Sequence, residues 1–330
     1  MLATGKKSIT ALTAFTMMTL WLAACGNNDA KSGESASPAI ESASASMGAP
    51  AAERKLTDGL GHEVAIPANP QRIIASYLED YLVALGVKPA GQWTVASGIQ
   101  EYLQTTLKGI PTIPYDLPFE AVVSFQPDLL ITGSNGAVEG DKYDQYAKIA
   151  PTFVLGDDIA NDWRKALLKI GEVLNKDDEA QKVLDDYEQK ASDAKAKIQA
   201  AIPGQSAAAI WLVQNSFFIV SDRLSSGAVL YNDLGFPVPD IVKEISATGT
   251  GNWNPISLEE LADIDADHLI VINSDKGTDS AIMKEPIWQT IKAVKNGNVH
   301  EYDASSSWLY YGPIASAQMI DNVLHDIVKQ

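Results

Sequence analysis

Phe119-Glu120-Ala121-Val122-Val123-Ser124-Phe125-Gln126-Pro127-Asp128-Leu129-Leu130-Ile131 returns later in the chain as Leu258-Glu259-Glu260-Leu261-Ala262-Asp263-Ile264-Asp265-Ala266-Asp267-His268-Leu269-Ile270. Each copy reads as a short helix turning into a buried strand. Glu120 falls on Glu259, Asp128 on Asp267, and the Leu-Ile pairs coincide. A weaker echo points the same way. Ile73-Ile74-Ala75-Ser76 with Leu85-Gly86-Val87 matches Ile219-Val220-Ser221-Asp222 with Leu234-Gly235-Phe236. Both read as strand, loop, helix and glycine C-cap, so each half is expected to open with a βα unit.

Between the copies runs a charged helical stretch from about Asp162 to Ala201, without glycine or proline after Gly171. Within it Ala180, Leu184, Tyr187, Ala191, Ala194 and Ile198 recur at alternating four- and three-residue steps and share one face. So short an apolar seam is too little for a coiled coil. The fold class expected is therefore α/β: two Rossmann-like α/β lobes bridged by one long helix. The N-terminal lobe should take residues 55–160, the linking helices 161–201 and the C-terminal lobe 202–330. A rigid crosser of this kind permits only small opening motions.

The first residues are not fold. Lys6 and Lys7 precede an apolar run from Ile9 to Leu22 that stops at Leu22-Ala23-Ala24-Cys25, the order of a signal peptide over residues 1–24. Its apolar part is too short to span a bilayer comfortably. Cys25 is the single cysteine, and the segment resembles a lipobox, whose thiol takes a diacylglycerol and becomes the first mature residue. No disulfide can then form within the chain. Residues 25–54 are rich in Ser, Ala, Gly, Glu and Pro and read as a flexible tether. A lipid anchor with such a tether favours the extracytoplasmic face of the cell membrane, on a Gram-positive surface. The formal net charge of −17, from 25 Lys+Arg against 42 Asp+Glu, makes nucleic acid a poor partner.

Several further segments carry a family resemblance. Thr57-Asp58-Gly59-Leu60-Gly61-His62-Glu63-Val64, then Ile66-Pro67 and Pro70-Gln71-Arg72-Ile73-Ile74, are similar to the opening hairpin and first strand of the class III, helical-backbone substrate-binding proteins. Leu85-Gly86-Val87-Lys88-Pro89, Gln126-Pro127-Asp128-Leu129-Leu130, and Trp288 with Ala293-Val294-Lys295-Asn296-Gly297 follow in the family's order and spacing. The resemblance covers nearly all of 55–330. It implies a cleft between two lobes that holds a ferric siderophore, haem or cobalamin, and one glutamate per lobe offered to the permease dimer of an ABC transporter. Carried over by position, those glutamates are Glu120 and Glu259. Equivalent carboxylates on pseudo-symmetric lobes suit a two-fold partner, and each can at the same time serve its helix dipole in the first turn.

In open α/β sheets the ligand lies at the carboxyl ends of the strands. The candidates there are Tyr77, Trp93, Tyr115, Phe217, Arg223, Trp253, Trp308, Tyr310 and Tyr311. The run Ser305-Ser306-Ser307-Trp308-Leu309-Tyr310-Tyr311-Gly312-Pro313 stands out, with three aromatics in a loop bounded by Ser and Gly. Arg223, in a polar loop, could pair with ligand oxygens, and a plain solvated arginine reads almost as well. Relatives that take tri-catecholate or citrate-type siderophores gather several basic residues in the pocket. This chain does not, which favours a hydroxamate-type ligand. Haem, the nearest alternative with cobalamin, needs an axial ligand, and His62, His268, His300 and His325 fall outside the aromatic loops.

No intrinsic cofactor and no protein metal site are expected, iron being held by the siderophore. The scattered histidines argue the same way. An enzyme is not expected either: no Gly-x-Ser-x-Gly elbow, His-Glu-x-x-His or Walker loop occurs. An unrecognised hydrolase or a surface adhesion or signalling lipoprotein would leave the paired Glu motifs unexplained. The protein is expected to act as a monomer.

Overall fold

The computed structural model describes residues 53–249, 251–275 and 280–329. The leader, Cys25 and the tether up to residue 52 lie outside the described residues. β1 (Arg54–Thr57) and β2 (Glu63–Ile66) form an antiparallel hairpin. Arg54, expected at the end of the tether, already belongs to this strand. Its guanidinium donates to the carbonyls of Glu172 and Val173.

In the N-terminal half β3 (Ile73–Ile74), β6 (Leu129–Thr132) and β7 (Thr152–Val154) form a parallel sheet, and β4 (Gln92–Thr94) pairs in parallel with β5 (Thr112–Pro114). In the C-terminal half the order is β10 (Trp253–Ile256), β9 (Ser216–Val220), β8 (Ala207–Val213), β11 (His268–Asn273), β12 (Val299–Asp303). There β8, β11 and β12 run parallel, and β9 is antiparallel to both its neighbours, β8 and β10. The class is thus the two-lobed α/β fold expected. β6 and β11, the strands of the repeat, are buried along their whole length, as strands covered on both faces must be.

The repeat has a physical cause. Asp128 accepts hydrogen bonds from the backbone N–H of Gln71 and Arg72 at 2.7 and 2.9 Å, just before β3. Asp267 accepts from the N–H of Ser206 at 2.8 Å, just before β8. Each aspartate ties the entry of its own strand to that of its parallel neighbour. The weaker echo keeps its form, since β3 and β9 each lead through a loop into a helix closed by a glycine at positive φ, Gly86 and Gly235, but the second half opens with β8, which takes beside β11 the place that β3 takes beside β6. β9 turns back on β8 through Gln214 and Asn215, both with positive φ (51° and 55°), the backbone of a two-residue hairpin.

Between the halves Asp162 caps the helix Trp163–Leu174 by accepting from the N–H of Arg164 and Lys165. Asn175, at φ 57°, breaks the chain into the helix Asp177–Ala201. The elbow is tight: a Cβ on Gly171 would stand 2.5 Å from that of Ala180. The second helix has 25 residues, about 37 Å at 1.5 Å per residue. Ala180, Tyr187, Ala191, Ala194 and Ile198 are buried, with Leu184 partly so, which is the predicted stripe. Its apolar face joins a core continuous from the C-terminal sheet to β3 and β6, and a smaller core lies behind β6 around Tyr146 and Val122.

Candidate functional site

Tyr77 follows β3 with φ 65°, a left-handed conformation that a bulky residue holds only when its surroundings enforce it. Its ring lies 5.1 Å from Trp93, 6.1 Å from Tyr310 and 5.8 Å from Tyr311. Tyr310 also packs at 5.1 Å on Tyr102. Residues of the first lobe therefore meet the Ser305–Pro313 loop in one aromatic cluster. Burial raises the phenol pKa of Tyr311 and, reinforced by Glu101, pushes that of Tyr310 up to about 12. Both stay neutral donors.

The cluster floors a trough made of two connected cavities, about 480 and 280 Å³, which share Asn161 and Tyr311. Tyr77, Trp93, Tyr115 and Tyr311 line the smaller one, and Arg223 and Tyr311 the larger. Tyr115 is 64 % exposed and stands at the mouth. Three sequence candidates lie elsewhere. Trp308 is fully buried against Tyr302 at 5.4 Å, because the short turn Ser307–Leu309 aims it inward as the anchor of the loop. Phe217 is buried and stacks on Trp288 at 5.5 Å, on another face of the C-terminal sheet. Trp253 packs against Trp211 at 6.2 Å and does not line the trough, although its neighbour Asn252 does.

The larger cavity also holds residues that the sequence reading passed over. Trp163 lines it with a buried indole N–H that has no partner among the described residues. Arg164 is held by two carboxylates and two rings. It donates to Glu188 at 2.6 Å and Asp233 at 2.8 Å, and its guanidinium lies 4.6 Å from the Trp163 ring and 5.2 Å from that of Tyr187. The Tyr187 hydroxyl donates to Asp233 at 2.6 Å. Burial raises the Asp233 pKa, with Tyr187 and Arg164 opposing. Arg223, by contrast, is 74 % exposed and donates only its Nε, to Asp222 at 3.2 Å.

Two buried carboxyls of the helix Glu79–Ala84 support the cluster. Glu79 accepts from the Trp93 N–H at 2.6 Å, and burial pushes its pKa up to about 8. Asp80 accepts from the N–H groups of Ile314 and Ala315 and from the Tyr102 hydroxyl, each at 2.9 Å. A first-lobe carboxylate thus caps the helix Pro313–Val323 of the other half, supplying acceptors for its otherwise unpartnered amides. Gly312, at φ 137°, has no room for a side chain, since its Cβ would lie 2.6 Å from Asp80.

Glu120 and Glu259 occupy the second position of the helices Phe119–Phe125 and Leu258–Ala262. Both are exposed, and neither has a hydrogen bond or ion pair among the described residues. The capping box of the second helix is made by Ser257 with Glu260, which leaves Glu259 uncommitted.

A model of the family described as periplasmic binding protein matches residues 76–305, a span from Tyr77 through both lobes. The chain belongs to this family. The two-lobed, helical-backbone architecture is the one the resemblance implied. The chain is 29 % identical over 336 residues to the probable siderophore-binding lipoprotein YfiY of Bacillus subtilis, covering 96 % of this chain and 97 % of that one. It is 26 % identical over 312 residues to the iron(3+)-hydroxamate-binding protein FhuD of the same organism, covering 93 % and 94 %. Among solved structures, Staphylococcus aureus SirA complexed with staphyloferrin B superposes with a TM-score of 0.69 at 26 % identity, covering 83 % of this chain and 98 % of that one.

Proposed function

We propose that this periplasmic binding protein captures a ferric siderophore of the hydroxamate type and delivers it to an ABC transporter, without catalysing a reaction. The observation that carries the reading is the trough walled by Tyr77, Trp93, Tyr115 and Tyr311. Flat neutral aromatics offer apolar contact to the shell of a chelate. Tyr77, Trp93, Tyr115, Tyr310, Tyr311 and Arg223 are the proposed ligand contacts. The names of YfiY and FhuD support a siderophore, and FhuD a hydroxamate. Cys25 would carry the lipid that holds the monomer outside the membrane, and Glu120 and Glu259 would meet the permease dimer. Tryptophan quenching of the purified protein with ferric hydroxamates, ferric catecholates, ferric citrate, haem and cobalamin tests this. Saturable quenching by a ferric hydroxamate is expected. Saturation by haem or cobalamin alone would overturn it.

A further inference from the structure

The cationic groups of the trough differ in what they can still do. Its lining holds two arginines, Arg164 and Arg223, against three carboxylates, Asp162, Glu188 and Asp233, all in the larger cavity. Arg164 is already paired twice. An anionic ligand that approached it would meet Glu188 and Asp233, whose carboxylates at 2.6 and 2.8 Å already offset the guanidinium, and drawing Arg164 away from Asp233, whose side chain is 9 % exposed, would leave the Tyr187 hydroxyl as that carboxylate's remaining donor. Stripping a buried carboxylate of its cation is unfavourable. Arg223 keeps its terminal nitrogens free for one ligand oxygen, and a single guanidinium offsets a single negative charge. The remaining charge of the walls is negative, and so is the whole chain at −17.

We infer that the trough selects its cargo by charge: it takes neutral or singly positive ferric chelates and discriminates against anionic ones, with the Arg164, Glu188 and Asp233 triad as the specificity determinant. The inference rests on the siderophore reading and adds to it the electrostatic class of the ligand. Glu188, 51 % exposed, is the group a pendant ammonium would approach, since Asp162 is already held by Lys165 at 3.5 Å and by the helix amides.

The test uses linear ferric trihydroxamates that are identical at the metal. One carries a terminal ammonium, one is N-acetylated and neutral, and one is N-succinylated and anionic. With the full-length protein the ammonium form should bind about three- to tenfold tighter than the succinylated form, and the ratio should narrow at high salt. Glu188→Gln removes one wall charge and loosens Arg164. It should improve the succinylated form roughly threefold relative to the ammonium form. Glu63→Gln, a surface change in the hairpin, should leave the ratio alone. Succinylated chelate binding tightest to the parent protein, or an unchanged ratio in Glu188→Gln, would sink the charge assignment while the siderophore reading stands. Failure of all three chelates to bind would bring down both.

Discussion

Trp308 and Tyr311 lie in one loop, yet the turn between them sends the first ring into the core beside Tyr302 and the second into the trough beside Tyr77. Their substitutions should separate accordingly. Trp308→Ala, which empties a fully buried site, is expected to lower stability by about 3–5 kcal/mol. Tyr311→Ala should leave the melting temperature close to the parent value and weaken the best ligand by roughly tenfold or more. Thermal melts and ligand titrations on the same two variants check this. Loss of affinity without loss of stability in Trp308→Ala would contradict its placement. Glu79 gives a pH signature. Its folded pKa of about 8 lies above the ordinary 4.5, so the unfolded chain ionises first, and stability falls as pH rises from 4.5 towards 8. Glu79→Gln keeps an acceptor for the Trp93 N–H without the ionisation. Chemical denaturation from pH 5 to about 8.5 should show the variant gaining on the parent as pH rises; parallel curves would refute the neutral carboxyl.

At the scale of elements, the Asp80 carboxylate is what joins the helix Glu79–Ala84 to the start of the helix Pro313–Val323. Asparagine offers one acceptor where two are needed and turns a donor toward an amide, a loss of about 1–3 kcal/mol. Amide exchange at Ile314 and Ala315 should accelerate in Asp80→Asn, while the Trp93 amide, held by Glu79, stays protected. Equal acceleration at all three sites would mean general loosening. The same scale shows what could be read from sequence. The helix-strand repeat was legible because Asp128 and Asp267 do the same local work in each copy, and the long helix because its stripe has helical spacing. The directions of Phe217, Trp253 and Trp308 were not, since one residue of register or a tight turn reverses a side chain. Nor was the Arg164 site, whose partners Glu188 and Asp233 stand 24 and 69 residues away in sequence and meet only through packing.

For the whole molecule, Glu120 and Glu259 sit at matching places on the two lobes, in the first turn of their helices, and make no hydrogen bond or ion pair among the described residues. Glu120→Ala and Glu259→Ala are therefore expected to leave ligand affinity and melting temperature near the parent values while uptake falls, the double variant more than either single one. Equilibrium binding and transport of labelled chelate measure both sides. Impaired binding with transport intact per bound ligand would exclude them from the permease face.

The bond from Asp80 to Ile314 and Ala315 spans 234 and 235 residues of chain, which bears on the order in which the protein is completed. Synthesis runs from the first lobe to the last helix, so Tyr77, Trp93 and Tyr102 exist long before the residues that roof them. Until residue 315 has emerged, Asp80 lacks two of its three donors and the aromatic cluster lacks Tyr310 and Tyr311. A nascent or prematurely terminated chain therefore lacks the complete cluster, and if the trough is the ligand site such chains are expected not to bind.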